Sequence, residues 1–141
     1  MTTTPTPKQA SPSTGAPTQT VLSTEPDCIF CKIANQQIPA PLLYQDELCV
    51  AFRDIHPQAP THILVIPRSH VRDVVEASAA AGSAEPLLGR LLHVGAQVAA
   101  QAGLKDRGFR FVINTGGDGG QSVFHLHLHV LGGRPLGWPP G

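Results

Sequence analysis

The sequence has no excess charge of either sign: Lys+Arg and Asp+Glu each total 10 in 141 residues, for a formal net charge of zero. A chain held to nucleic acid by phosphate neutralisation carries a basic excess, so no nucleic-acid partner is expected. No window approaches the roughly 18 consecutive apolar residues of a membrane span, so no membrane partner is expected either. The opening 27 residues also lack the apolar stretch of about 7–15 residues that a secretory signal needs. Arginine is absent before Arg53, where an organelle transit peptide would carry several. The Ser/Thr-rich start nevertheless leaves organelle targeting open. Cysteine is scarce. Cys28, Cys31 and Cys49 without a signal sequence argue against a disulfide scaffold and for a reducing compartment. The expectation is a soluble, cytoplasmic protein, with nuclear residence compatible.

Residues 2–20 hold seven Thr, four Pro and two Ser, and Lys8 is the only charge before Glu25. Such a stretch buries too little apolar surface to offset its ordering entropy, so residues 1–26 are expected to form a disordered tail. A single domain over 27–141 follows. Residues 29–34 read as a short helix closed by Asn35, and 42–45 with 49–53 as a hairpin around Asp46 and Glu47. The aliphatic run 62–67 predicts a buried strand ended by Pro67. Residues 84–102 predict one long helix with Leu88, Leu91, Leu92, Gly95, Val98, Ala99 and Ala102 on one face, Ser83 as cap and Gly103 as stop. Strands are expected at 109–114 and 125–131, and no repeat is evident. The fold class is therefore α+β, a mainly antiparallel sheet covered by one long helix, with a short helix at the start.

The most informative stretch is HLHLHVL at residues 125–131. On a strand, His125, His127 and His129 share one face, about 6.5–7 Å apart, above Leu126, Leu128 and Val130. A lone histidine on an amphipathic strand is usually structural. Three at period two call for another reason, because imidazole alone can be neutral nucleophile, proton donor or metal ligand near neutrality. Residues 114–122 (NTGGDGGQS) form a glycine-rich connection into that strand. Its backbone can aim several N–H groups at one anion, although it lacks the lysine and following helix of a P-loop. His93 and His56 read as surface or loop residues.

These histidines fit the His-φ-His-φ-His-φ-φ motif of the histidine triad (HIT) nucleotide-binding proteins. Residues 54–67 (DIHPQAPTHILVIP), 118–123 (DGGQSV) and the terminal GWPPG at 137–141 resemble the Hint branch of that family. The resemblance covers about 27–141 and implies a homodimeric HIT fold that hydrolyses purine nucleoside phosphoramidates to an amine and AMP or GMP. It implies that His127 attacks the α-phosphorus and forms a nucleotidyl-imidazole, while His62 passes or orients a proton. His129 would donate to a phosphoryl oxygen, and N–H groups near Gly120, Gln121 and Ser122 would stabilise developing charge. Ser122 would assist the departing amine, Asp54 would accept both ribose hydroxyls, and Asn114 would hold the phosphate or ribose edge. Phe30, Ile33, Ile38, Phe52 and Ile55 would line the base slot, and Trp138 would reach the partner subunit's site. In members carrying CxxC, the cysteines join two histidines around zinc. Here that set is Cys28, Cys31, His70 and His125, whose four protein ligands make it structural, with no cofactor required for catalysis.

Two other classes compete with a metal-independent phosphoramidase. One is a nucleotide-binding interaction module whose hydrolysis is incidental. The other makes the three triad imidazoles a catalytic metal site. The segment 76–83, rich in Ala, Ser and Gly, is expected to enlarge a loop only.

Overall fold

The computed structural model describes residues 23–141. The tail expected over residues 1–26 therefore lies largely outside the described residues. Ser23 is already tied to the domain, its carbonyl accepting from the His70 amide at 2.6 Å.

Eight elements follow in order: α1 (Ile29–Ala34), β1 (Leu42–Gln45), β2 (Cys49–Arg53), β3 (Thr61–Pro67), α2 (Val74–Ala79), α3 (Ala84–Gln101), β4 (Phe109–Val112) and β5 (Leu128–Gly132). The strands form one antiparallel five-stranded sheet in the order β1-β2-β3-β5-β4. This is the α+β architecture read from the sequence.

Central strand β3 is buried nearly throughout because both its faces are covered. Alternation along it sorts side chains to two cores. Ile63 and Val65 join Cys49, Ala51, Leu126, Leu128 and Val130 against Leu91, Val94, Val98 and Ala99 of α3. Leu64 and Ile66 join Val50 and Phe52 against Phe30, Ile33 and Ala34 of α1. The register pairs Leu64 with His129 and Ile63 with Val130. With the leucines and Val130 committed to the α3 side, the triad histidines fall on the α1 side.

Helix α3 approaches this sheet closely. A Cβ on Gly95 would stand 2.8 Å from Leu128 Cδ2 and 3.0 Å from the Phe111 ring, so glycine permits the crossing.

Several expectations shift. The ladder of β5 begins at Leu128, so His125 and His127 precede it; instead the Leu126 amide donates to Val71 O at 2.7 Å. β4 stops at Val112 rather than residue 114. On α3 the buried stripe runs through Leu91, Val94 and Val98, which puts Leu92 at its rim, 46% exposed. Ser83 precedes α3 without a side-chain capping bond. The segment expected to be loop contains most of α2, whose start is capped reciprocally. Asp73 Oδ1 accepts from the Glu76 amide at 2.9 Å, and Glu76 Oε2 accepts from the Arg72 amide at 2.6 Å.

Candidate active site and metal centre

Tautomers on the α1 side of the sheet follow from which groups must donate. The Gln58 amide donates to His62 Nδ1 at 3.1 Å, so that nitrogen is bare and Nε2 carries the proton. His62 Nε2–H then donates to His129 Nδ1 at 2.8 Å, with Asp54 Oδ2 at 3.5 Å as a second acceptor. His129 in turn carries its proton on Nε2, which is buried and has no partner among the described residues. A proton-bearing chain thus runs from a backbone amide through two rings and ends on an unanswered donor.

His127 sits beside that end, its ring centroid 4.8 Å from that of His129. A carbonyl can only accept, so the 2.7 Å contact of His127 Nδ1 with His125 O places the proton on Nδ1. Nε2 keeps its lone pair, the form a nucleophile requires. Burial lowers the pKa values of His62 and His127, and lowers that of His129 to about 4, with the neighbouring His127 and His62 rings adding to the shift. The neutral rings that the hydrogen bonds assign are therefore the forms present at neutral pH.

His125 is fully buried and faces elsewhere. Its Nε2–H donates to Pro67 O at 2.8 Å, while Nδ1 lies 3.4 Å from Cys28 Sγ and 3.5 Å from Cys31 Sγ. His70 Nδ1 stands 3.3 Å from Cys31 Sγ. The ligand atoms of Cys28, Cys31, His70 and His125 all lie within 4.8 Å of one another. Two sulfurs and two Nδ1 atoms suit tetrahedral zinc, and the Pro67 bond leaves the correct His125 nitrogen bare. The residues fit the metal. The His125 ring belongs to this cluster, and only its carbonyl reaches His127.

The three triad rings do not converge on one ion. His125 belongs to the thiol cluster, His129 to a group with Asp54 and His62, and His127 to neither. A three-imidazole catalytic metal site is thereby corrected, because alternate residues here turn their nitrogens to different partners.

The glycine-rich loop is braced from within. Gln121 is buried. Its Oε1 accepts from the Gly116 amide at 3.0 Å, and its Nε2 donates to Arg72 O at 2.8 Å and Val123 O at 3.1 Å. The Gly120 and Gln121 amides donate to Gly117 O and Gly116 O, both at 3.0 Å. Of the amides expected to meet phosphate, Ser122's is the one without an intraloop bond among the described residues. A Cβ on Gly119 would collide with the Thr115 backbone, so that turn requires glycine. Asn114 is half-buried at the loop's start, and Ser122 is exposed.

Phe30 lies edge-on to His127, with centroids 5.1 Å apart, and to Phe52 at 5.7 Å. Phe30, Ile33 and Phe52 form a buried cluster with Ile38 packed at its margin. Ile55 and Trp138 stand apart from it, 82% and 83% exposed. Asp54 is held by its Oδ1 accepting from the His56 amide at 2.8 Å. A cavity of about 850 Å³ reaches His70 but none of His62, His127 and His129. Sequence reasoning missed two backbone groups, the Gln58 amide and the Pro67 carbonyl. Main-chain groups carry no residue-type signal.

Comparison with known proteins agrees with this geometry. Purine nucleoside phosphoramidase of Escherichia coli (strain K12) is 50% identical over 111 residues, covering 79% of this chain and 91% of that protein. A HIT family hydrolase from Legionella pneumophila Philadelphia 1 superposes with a TM-score of 0.76 at 44% identity, covering 82% of this chain and all of the other. A Zn-bound histidine triad family protein from Mycobacterium smegmatis superposes at 0.65 with 34% identity, over 77% of this chain and 76% of that one. The HIT domain family matches residues 35–136, and the chain belongs to that family.

Proposed function

We propose that this HIT hydrolase cleaves the P–N bond of purine nucleoside 5′-phosphoramidates, releasing an amine and a nucleoside monophosphate. The observation that carries the reading is the His127 tautomer, with Nδ1–H held on His125 O and a bare Nε2 beside the unpartnered His129 Nε2–H. His127 Nε2 attacks the α-phosphorus and forms an N–P bond as the amine leaves. The His125 carbonyl stabilises the positive charge that develops on the ring. His129 Nε2–H donates to a phosphoryl oxygen, joined by the Ser122 amide, while the Ser122 hydroxyl delivers a proton to the amine, which leaves poorly without one. Water then cleaves the His127–phosphorus bond, its oxygen bonding to phosphorus and its proton restoring the Ser122 hydroxyl, which returns the ring and frees the monophosphate.

His62 relays the orientation of His129 back to the fixed Gln58 amide. Asp54 receives the ribose hydroxyls, Asn114 holds the phosphate or ribose edge, and the Phe30, Ile33, Ile38 and Phe52 cluster offers the base an apolar wall. Zinc at Cys28, Cys31, His70 and His125 would be structural, cross-linking α1 to the sheet.

A homodimer completes the assembly. Its support is the outer edge of strand β4, which has no neighbouring strand among the described residues, with Phe109 37% exposed, and the exposed Leu92, Ile55 and Trp138. The test is AMP release from adenosine 5′-phosphoramidate. The reading expects turnover that survives the removal of free metal, and no turnover by the intact chain would overturn it.

A further inference from the structure

We propose that the cysteine–histidine cluster does more than brace the fold: Cys28, Cys31 and His70 act through His125 as positioning residues for the nucleophile. This inference rests on the reading of His127 as the attacking ring.

Two connections lead from the cluster to His127. The first is a single residue. His125 turns its Nδ1 to both thiols, at 3.4 and 3.5 Å, and its carbonyl accepts the His127 Nδ1 proton at 2.7 Å. Ring and carbonyl belong to one residue, so a displacement of His125 at the cluster moves the acceptor that selects the His127 tautomer. The second is helix α1, six residues long, with Cys28 at its N-cap and Cys31 in its first turn. A helix this short is not stable by its own hydrogen bonds and needs external anchoring. Between the two cysteines it carries Phe30, edge-on to His127 at 5.1 Å and to His125 at 5.9 Å.

Without a metal, the members of the cluster meet one another through weak sulfur–imidazole contacts, while the His125 ring is also held on Pro67 O. Cys28, Cys31, His70 and His125 would together hold an ion, which would tie the His125 residue to α1. If the cluster loosens, the His125 carbonyl can turn away. His127 then gains access to its other tautomer, in which Nε2 bears the proton and cannot attack. The Asp54–His62–His129 group is anchored separately, at the Gln58 amide, and has no such dependence.

The experiment titrates zinc into the reduced, metal-free full chain while imidazole nitrogen NMR follows the rings and turnover is measured in parallel. The expected result is that His127 passes from mixed tautomers to the Nδ1–H form as one zinc binds per chain, while the His62 signals stay fixed. Along the same curve kcat rises about 10- to 100-fold, with KM changing by less than about twofold. A metal-free, folded chain whose His127 is already locked in the Nδ1–H form, with kcat indifferent to zinc, would overturn the proposal. If the metal-free chain does not fold, zinc-loaded Cys28→Asp takes its place, since it keeps four donors but alters their reach. Mixed His127 tautomers in that variant support the coupling, and wild-type signals contradict it. The ring signals need no substrate, so absence of phosphoramidate turnover would undo the functional reading while leaving the coupling separately testable.

Discussion

Two groups of side chains stand on one side of the same sheet, each with its candidate ligand atoms within 4.8 Å, and their chemistry is opposite. In the Cys28–Cys31–His70–His125 group, sulfurs face two Nδ1 atoms, and that of His125 is bare because its outer nitrogen is fixed on Pro67 O. Such a set is closed and leaves no position for substrate. In the Asp54–His62–His129 group, the ring nitrogens of His62 are both already engaged, and the chain ends on the unpartnered Nε2 of His129. That set is a poor metal site and an open donor. Proximity of histidines therefore says little until the proton on each nitrogen has been assigned. His127 lies between the groups, touching the first through His125 O and the second through His129.

Substitutions can break this contrast at its centre first. His127→Ala should lower kcat by about 10⁴-fold or more, measured by AMP release, because no other bare imidazole nitrogen replaces it. His129→Ala removes one preorganised donor and should cost about 10²–10³-fold in kcat. If it cost nothing, the proton chain through His62 would have no role in catalysis.

The loop and the acid limb sharpen the contrast further. Gln121→Ala deletes three hydrogen bonds that brace the glycine-rich loop. Denaturant unfolding should show a loss of about 1–3 kcal/mol, with turnover reduced as well. For pH, burial sets the sign: the folded value of His129 lies at about 4, below its ordinary 6.5. Stability from this neutral ring is complete above about 6.5 and is lost as pH falls toward the folded value, since the unfolded chain takes up the proton first. The corresponding kcat/KM should be flat through neutrality and fall only on the acid limb. A fall centred near 6.5 would show that the ring is not desolvated as described.

The smallest effect concerns the third cysteine. Burial, with Asp46 beside it, pushes the Cys49 thiol up to about 12. Cys49→Ser should leave turnover and metal content unchanged, and a thiol-alkylating reagent should label Cys28 before Cys49.

Much of this contrast was legible in the chain because period-two alternation assigns faces without coordinates. Leu126, Leu128 and Val130 had to bury, so the histidines between them had to point the other way. Although the ladder begins only at Leu128, Leu126 is buried in the α3-side core with Leu128 and Val130. The gathering of Cys28, Cys31, His70 and His125 was legible from the CxxC spacing together with the family resemblance. Helix α2 was hidden by its Ala and Ser content, although Asp73, a favoured N-cap residue, marks its start by accepting from the Glu76 amide. Val94 fits the α3 stripe by spacing from Leu91 and Val98, whereas Leu92, spaced for the same face by Leu88 and Gly95, falls at its rim. The Gln58 amide and the carbonyls of Pro67 and His125, which set the tautomers of His62, His125, His127 and His129, are main-chain groups that sequence patterns do not mark.

The most direct measurement is rapid-quench mass spectrometry of the protein mixed with adenosine 5′-phosphoramidate, followed by peptide mapping. The account predicts an adenylyl group on His127 that appears before AMP accumulates and decays as it does. Steady AMP production with no adduct, or with the adduct on another residue, would contradict it.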